Sequence, residues 1–273
     1  MSYQTELDAA LDAADAAGCE LLRLYADFQR IPDAPADIST EADRRAQEII
    51  LARLQRQFPA DAYCAEEGTA ALKDRPAQGA RLWIIDPIDG TRGFARKNGE
   101  FSVMVAFVDR GTIGAGVVLE PARQRLTYAM RGGGCWKRDG SDVPVQIRVS
   151  PASRIADATL TRSRSKTDST SHRVGDLATA RVLESYSAGI KLAFVARGEA
   201  DIYLNFYRAF HDWDICAGHI LVDEAGGKVT GLAGETLQYG QPGALQQHGL
   251  LATNGRLHDE AVSAVTASAR SKA

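Results

Sequence analysis

Apolar residues recur near helical spacing at Leu7, Leu11, Ala14, Leu21 and Tyr25, and again at Ala46, Ile49, Ile50, Leu54 and Phe58, so two amphipathic helices open the chain. Thr40-Glu41-Ala42-Asp43 reads as a capping box for the second helix, with Asp in place of the usual Glu, and the helix ends before Pro59. The period then changes. Leu82-Trp83-Ile84-Ile85 is a short, continuously apolar run, predicted as a buried strand leading straight into Asp86-Pro87. Segments 101–109, 113–119 and 125–130 read as strands joined by turns at Gly111 and Pro121, with further turns at 132–134 and 139–140. Together they predict an antiparallel meander.

From about residue 150 the pattern alternates. TLTRS, a helix near 171–180, RVLES, a helix over 187–197 stopped by Gly198, DIYLNF and a helix from Asp214 stopped by Gly226-Gly227 follow in turn, then LLATN and a terminal helix of small residues. The expected class is α/β, of the α+β type, with helices layered on sheets. No internal repeat and no Pro- or Gly/Ser-rich linker is evident. Two subdomains, 1–149 and 150–273, are therefore expected to share a large interface.

Composition narrows the field. In 273 residues, 32 Lys and Arg face 35 Asp and Glu, a net charge of −3, so there is no general pull toward nucleic acid or anionic lipid. No apolar run approaches the roughly 20 residues that cross a bilayer, and the acidic N-terminus does not resemble a secretion signal. A cytoplasmic protein is expected. Cys19, Cys64, Cys135 and Cys216 lack disulfide or zinc spacing and read as reduced core residues. His172, His211, His248 and His258 lie in polar surroundings, while His219 lies within a helix and reads as packed.

Chemistry concentrates in Trp83-Ile84-Ile85-Asp86-Pro87-Ile88-Asp89-Gly90-Thr91. A buried strand delivers two carboxylates at its carboxyl end, where open α/β sheets bind ligands. Two like charges three residues apart repel unless a cation lies between them, and all-oxygen ligands suit Mg²⁺ or Mn²⁺ better than zinc. A turn in which both Asp side chains bond local amides is the ordinary alternative. Further acidic groups stand at Glu66-Glu67-Gly68 and Trp213-Asp214.

In combination, EE at 66–67, DPIDGT at 86–91 and WDICAGHILVDEAGG at 213–227 resemble the lithium-sensitive, magnesium-dependent phosphatases that include inositol monophosphatase and the 3′(2′),5′-bisphosphate nucleotidases. The likeness extends over nearly the whole chain: Asp37 to Asp43 resembles the family's D-x-x-T-x-x-D segment with the Thr shifted, and Gly116-Val117-Val118 its G-V-V strand. It implies a layered αβαβα sandwich of the sugar-phosphatase kind, two or three Mg²⁺ with Mn²⁺ as a substitute, and a homodimer as an option.

By the same resemblance, Glu66, Asp86 and the Ile88 carbonyl would hold the first metal and Asp86, Asp89 and Asp214 the second, with Glu66 bordering a weaker third. Thr91, paired with Asp43, would orient the attacking water, and the Gly90 and Thr91 amides would hold the phosphate. Asp43 also has an ordinary role as a cap for its own helix, and Glu67 is expected to act from behind the ligands. Seven positions before Asp214, where inositol monophosphatases carry an acidic residue, this chain has Tyr207. Asp89-Gly90-Thr91-Arg92-Gly93-Phe94 instead resembles the D-G-T-K-x-F of the bisphosphate nucleotidases. The expected substrate is adenosine 3′,5′-bisphosphate, cleaved to AMP, with Ser163, Lys191 and Arg208 as candidate contacts to its outer groups. Inositol phosphate and histidinol phosphate are the alternatives within the family, and a silent sensor of metal or nucleotide the alternative outside it. Cys64 and Cys216, each two positions from an expected ligand, raise the question of oxidation.

Overall fold

The structure is a computed structural model and describes residues 2–35, 37–164 and 177–270. Two helices come first, α1 (Gln4–Asp27) and α2 (Glu41–Gln57). Thr40 caps α2: its hydroxyl accepts from the Ala42 N–H, and the Asp43 carboxylate accepts from the Thr40 N–H at 2.8 Å, completing the expected box.

A seven-stranded sheet follows in chain order: β1 (Ala62–Ala65), β2 (Arg81–Asp89), β3 (Ser102–Asp109), β4 (Thr112–Glu120), β5 (Arg125–Met130), β6 (Gly134–Asp139) and β7 (Val145–Ile147). The predicted meander forms its centre. β1 adds a parallel edge on β2 that four residues, AYCA, were too short to announce.

β2 differs from expectation in an informative way. It does not stop at Asp86 but continues through Pro87 to Asp89, with a register shift in which Asp86 faces Met104 and Asp89 faces Ser102. Three residues on β2 thus span two on β3, the signature of a bulge, which tolerates a proline that cannot donate to the ladder. In a regular strand, residues three apart point to opposite faces. The extra residue restores Asp86 and Asp89 to one face, that of Leu82 and Ile84, while the Ile88 side chain joins Trp83 and Ile85 on the other.

The later part of the chain forms a second sheet in the order β12-β14-β10-β8-β9, from β8 (Thr159–Ser163), β9 (Arg181–Ser185), β10 (Ile202–Asn205), β12 (Lys228–Thr230) and β14 (Leu250–Thr253). β11 (Phe210–His211) and β13 (Leu245–Gln246) pair separately. Four further helices are described: α3 (Thr91–Ala95), α4 (Ala188–Ala196), α5 (Asp212–Glu224) and α6 (His258–Arg270). Most of the helix expected over 171–180 lies outside the described residues; 177–180 are not helical.

Three apolar layers hold these parts together. α1 and α2 cover one face of the first sheet through Leu21, Ile50, Leu54, Trp83, Val105 and Phe107. Its other face packs on α4 and α5, which also meet Tyr203, Leu250 and Ala252 of the second sheet. α6, with Leu257 just before it, closes the far face of that sheet through Ala261 and Val265. The order is α–β–α–β–α, as the resemblance implied.

Two sequence expectations need correction. Cys19 is exposed on α1 rather than buried. His258 is core, not polar surface: Thr230 and Thr253 hydroxyls lie 3.0 Å from its two ring nitrogens, and burial lowers its pKa to about 4.

The seat of α5 is set by a glycine. A Cβ at Gly116 on β4 would lie 2.8 Å from the Ala217 carbonyl oxygen and 2.5 Å from an Ile220 methyl. Gly116→Ala is therefore expected to cost about 1–3 kcal/mol by overpacking, measurable as a lower urea midpoint at unchanged slope. An unchanged midpoint would show that α5 can shift without cost.

Candidate active site

The acidic residues converge because three independent elements end at one place. β1 runs parallel to β2 with Ala65 opposite Ile85, and the Glu66 N–H donates to the Ile85 carbonyl at 3.3 Å, so Glu66 emerges beside Asp86. The β2 bulge adds Asp89 on the same face. Asp214 arrives as the third residue of α5, its carboxylate accepting from the His211 N–H at 2.6 Å.

Crowding these carboxylates away from water disfavours their charged forms. Burial first, then the nearby Asp214 and Asp43, pushes Glu66 up to about 8. Asp214 is raised to about 7, mainly by burial, with the Asp89 charge adding and the His211 N–H and Lys191 opposing. Asp86 is raised well above the carboxylate range by burial and by Glu66, Asp89 and Asp214. Among the described residues its Oδ1 has no hydrogen-bond partner.

Asp89 is held differently. Its Oδ2 accepts from Ser102 Oγ at 3.1 Å, from Ser187 Oγ and from the Gly189 N–H at 2.7 Å, while its Oδ1 accepts from the Ala188 N–H at 2.9 Å. The carboxylate thus satisfies the first turn of α4 and ties that helix to β2. A carboxylate oxygen has two lone pairs, so Oδ1 keeps acceptor capacity.

Asp43 makes both contacts weighed from sequence. Its Oδ2 caps α2, and its Oδ1 lies 2.9 Å from Thr91 Oγ1. Thr91 Oγ1 is also 2.9 Å from the Ile88 carbonyl oxygen. One hydroxyl proton cannot serve two acceptors fully. Burial raises Asp43 to about 6, and when protonated it can donate to Thr91, which then donates to Ile88. Gly90 makes the turn possible: its φ is +86°, and a Cβ there would lie 2.7 Å from the Glu100 carbonyl oxygen and 3.1 Å from Ser187.

The expected outer contacts are placed less uniformly. Ser163 ends β8 opposite Ser185. Arg208 is exposed on the loop after β10. Lys191 is fully buried, its Nζ donating to the Ser185 carbonyl at 3.0 Å, so its charge reaches the cluster through the field rather than by contact. Glu67 accepts from Ser39 at 2.7 Å. Ser102 and Ser187, which orient Asp89, were not singled out as site residues from sequence. In the structure Ser187 caps α4, its hydroxyl accepting from the Ile190 N–H. Burial pushes the Cys64 thiol up to about 12 and raises Cys216 well above the ordinary thiol value, which favours the neutral thiol at both.

Among the described residues no three acidic, His or Cys side chains are already arranged as a cation cage. The donor chemistry nevertheless fits a hard dication: oxygen ligands only, an orphaned buried carboxylate oxygen, and neighbours whose repulsion a positive charge would relieve. Residues 2–270 match the inositol monophosphatase family. The chain belongs to this family.

Like other members of the inositol monophosphatase family, it is a phosphatase acting on phosphomonoesters, and the family is metal-dependent. It is 34% identical over 231 residues to the fructose-1,6-bisphosphatase/inositol-1-monophosphatase of Thermotoga maritima, covering 84% of this chain and 82% of that protein. The solved Thermotoga maritima IMPase aligns with a TM-score of 0.82 at 31% identity, covering 98% of this chain and 99% of that one. CysQ from Bacteroides thetaiotaomicron, a bacterial member of the same family, aligns with a TM-score of 0.75 at 29% identity, covering 93% and 98%. No described helix is long and apolar enough to cross a membrane.

Proposed function

We infer that this phosphatase is magnesium-dependent and removes the 3′-phosphate of a nucleoside bisphosphate, adenosine 3′,5′-bisphosphate giving AMP. The observation that carries the substrate reading is Tyr207, 55% exposed on the loop before α5, at the position where an acidic side chain would engage inositol hydroxyls. A phenol ring there offers a flat apolar surface instead. In this reading residues 1–149 and 150–273 are two subdomains that complete one site.

Glu66, Asp86 and the Ile88 carbonyl would hold one Mg²⁺, and Asp86, Asp89 and Asp214 a second, with a third, weaker position beside Glu66 and Mn²⁺ as a substitute. When bound, the ions acidify water and neutralise charge on the phosphoryl oxygens. Thr91 Oγ1 orients the attacking water and passes a proton toward Asp43 Oδ1, 2.9 Å away. Gly90 and Thr91 hold the phosphate. Water oxygen bonds to phosphorus as its proton passes through Thr91 to Asp43, the bond to the ribose 3′ oxygen breaks, and that oxygen takes a proton from a solvent water.

A second reading, hydrolysis of inositol 1-phosphate, is favoured by what the Thermotoga maritima relative is named for. A phosphate-release panel with and without Mg²⁺ decides between them. The expected order in kcat/KM is adenosine 3′,5′-bisphosphate above inositol 1-phosphate and histidinol phosphate, with Mg²⁺ required. A preference for inositol 1-phosphate overturns the nucleotide reading, and binding without turnover would return the protein to the sensor class.

A further inference from the structure

Beside the phosphate turn lies a cationic cluster that the catalytic roles do not use. Tyr186 immediately precedes Ser187, the residue packed 3.1 Å from the position a Gly90 Cβ would take, so its ring stands next to the start of α3. Arg92 on α3 and Arg96, the residue that caps its C-terminal end, converge on that ring: their guanidinium carbons lie 5.6 and 5.8 Å from its centroid. Two further cations nearby, Arg164 and Lys191, are held by partners of their own. Arg164 is forked onto Glu100 at 2.7 and 2.9 Å and also faces Glu184, and Lys191 is enclosed by the Ser185 and Tyr186 carbonyls. Glu100 is satisfied in turn by Arg164 and by the Tyr186 N–H at 3.3 Å. Among the described residues, the Arg96 guanidinium meets the ring and no carboxylate.

We propose that Arg96, lying over the Tyr186 ring, forms a subsite for a second anionic group of the substrate, a phosphate separate from the one that is cleaved. A guanidinium fork matches phosphate geometry, and stacking on an aromatic ring fixes its plane in advance. The proposal rests on the phosphomonoesterase reading and sets the substrate class, bisphosphates over monophosphates. Lys191 and Arg164 drop out of that role because their donors are already engaged.

The test compares Arg96→Ala and Arg96→Met with the parent enzyme in Mg²⁺, using adenosine 3′,5′-bisphosphate and adenosine 3′-monophosphate. KM for the bisphosphate is expected to rise about tenfold or more, at least five times the factor seen for the monophosphate, with kcat for both within about twofold. Arg96→Met, which keeps the stem on the ring and removes only the charge, is expected to match Arg96→Ala. Equal factors for the two substrates, or no change in either, would overturn the subsite. Should inositol 1-phosphate prove the better substrate, the nucleotide reading fails separately. The subsite is then judged by whether Arg96→Ala raises the Ki of the bisphosphate against inositol 1-phosphate hydrolysis by the same tenfold.

Discussion

Asp214→Asn should lower kcat for phosphate release by about two to four orders of magnitude while the protein remains folded. The separation of the two effects follows from where the carboxylate sits. Its structural duty, accepting the His211 N–H at 2.6 Å in the cap of α5, needs an oxygen and not a charge, and Asn supplies one. Its chemical duty needs the charge, because only a carboxylate adds to the field that attracts a dication. Phosphate release and a thermal melt followed by circular dichroism read the two separately. A variant that melts without cooperativity would make Asp214 a structural residue, and one with normal kcat would remove it from the site.

Asp86→Asn should abolish turnover and yet stabilise the metal-free protein, most clearly near pH 8. Folding raises Glu66 to about 8, Asp214 to about 7 and Asp43 to about 6, and raises Asp86 as well, all above the ordinary range near 4. The folded state therefore keeps protons that the unfolded chain has already released. The stability these groups contribute is full below about pH 4 and is lost as pH climbs through 6 to 8. Ion-paired surface acids such as Glu20, held down to about 2, act in the opposite sense and below that window. Metal-free protein should accordingly melt lower at pH 8 than at pH 5, millimolar Mg²⁺ should raise the melting temperature more at pH 8, and Asp86→Asn should flatten the metal-free dependence. A metal-free melting temperature that rises from pH 5 to pH 8 would remove mutual repulsion as the controlling effect.

Much of this was legible in the sequence because its causes are local. The Thr40–Asp43 box, the apolar period of α1 and the paired turns of the meander are each written within a few residues of where they act. The family motifs then brought distant carboxylates onto one list. What escaped depended on partners far along the chain. The β2 bulge shows only against β3, since Asp86 opposite Met104 and Asp89 opposite Ser102 is a statement about two strands. Lys191 reads as a candidate substrate contact until the Ser185 and Tyr186 carbonyls close over it, and His258 reads as polar until Thr230 and Thr253 take both of its nitrogens. Asp89 reads from sequence as a pocket-facing carboxylate, and nothing local shows that Ser102, Ser187 and the Ala188 and Gly189 N–H groups would all donate to it.

The middle pair of helices makes this enzyme a poor candidate for jaw-like motion. α4 and α5 are greased on both sides, so prising either sheet away would bare a broad oily surface to water at heavy cost. Asp89 and Asp214 are anchored to the ends of those same two helices. The two sheets are therefore expected to stay together through a turnover, with these two carboxylates held in fixed positions.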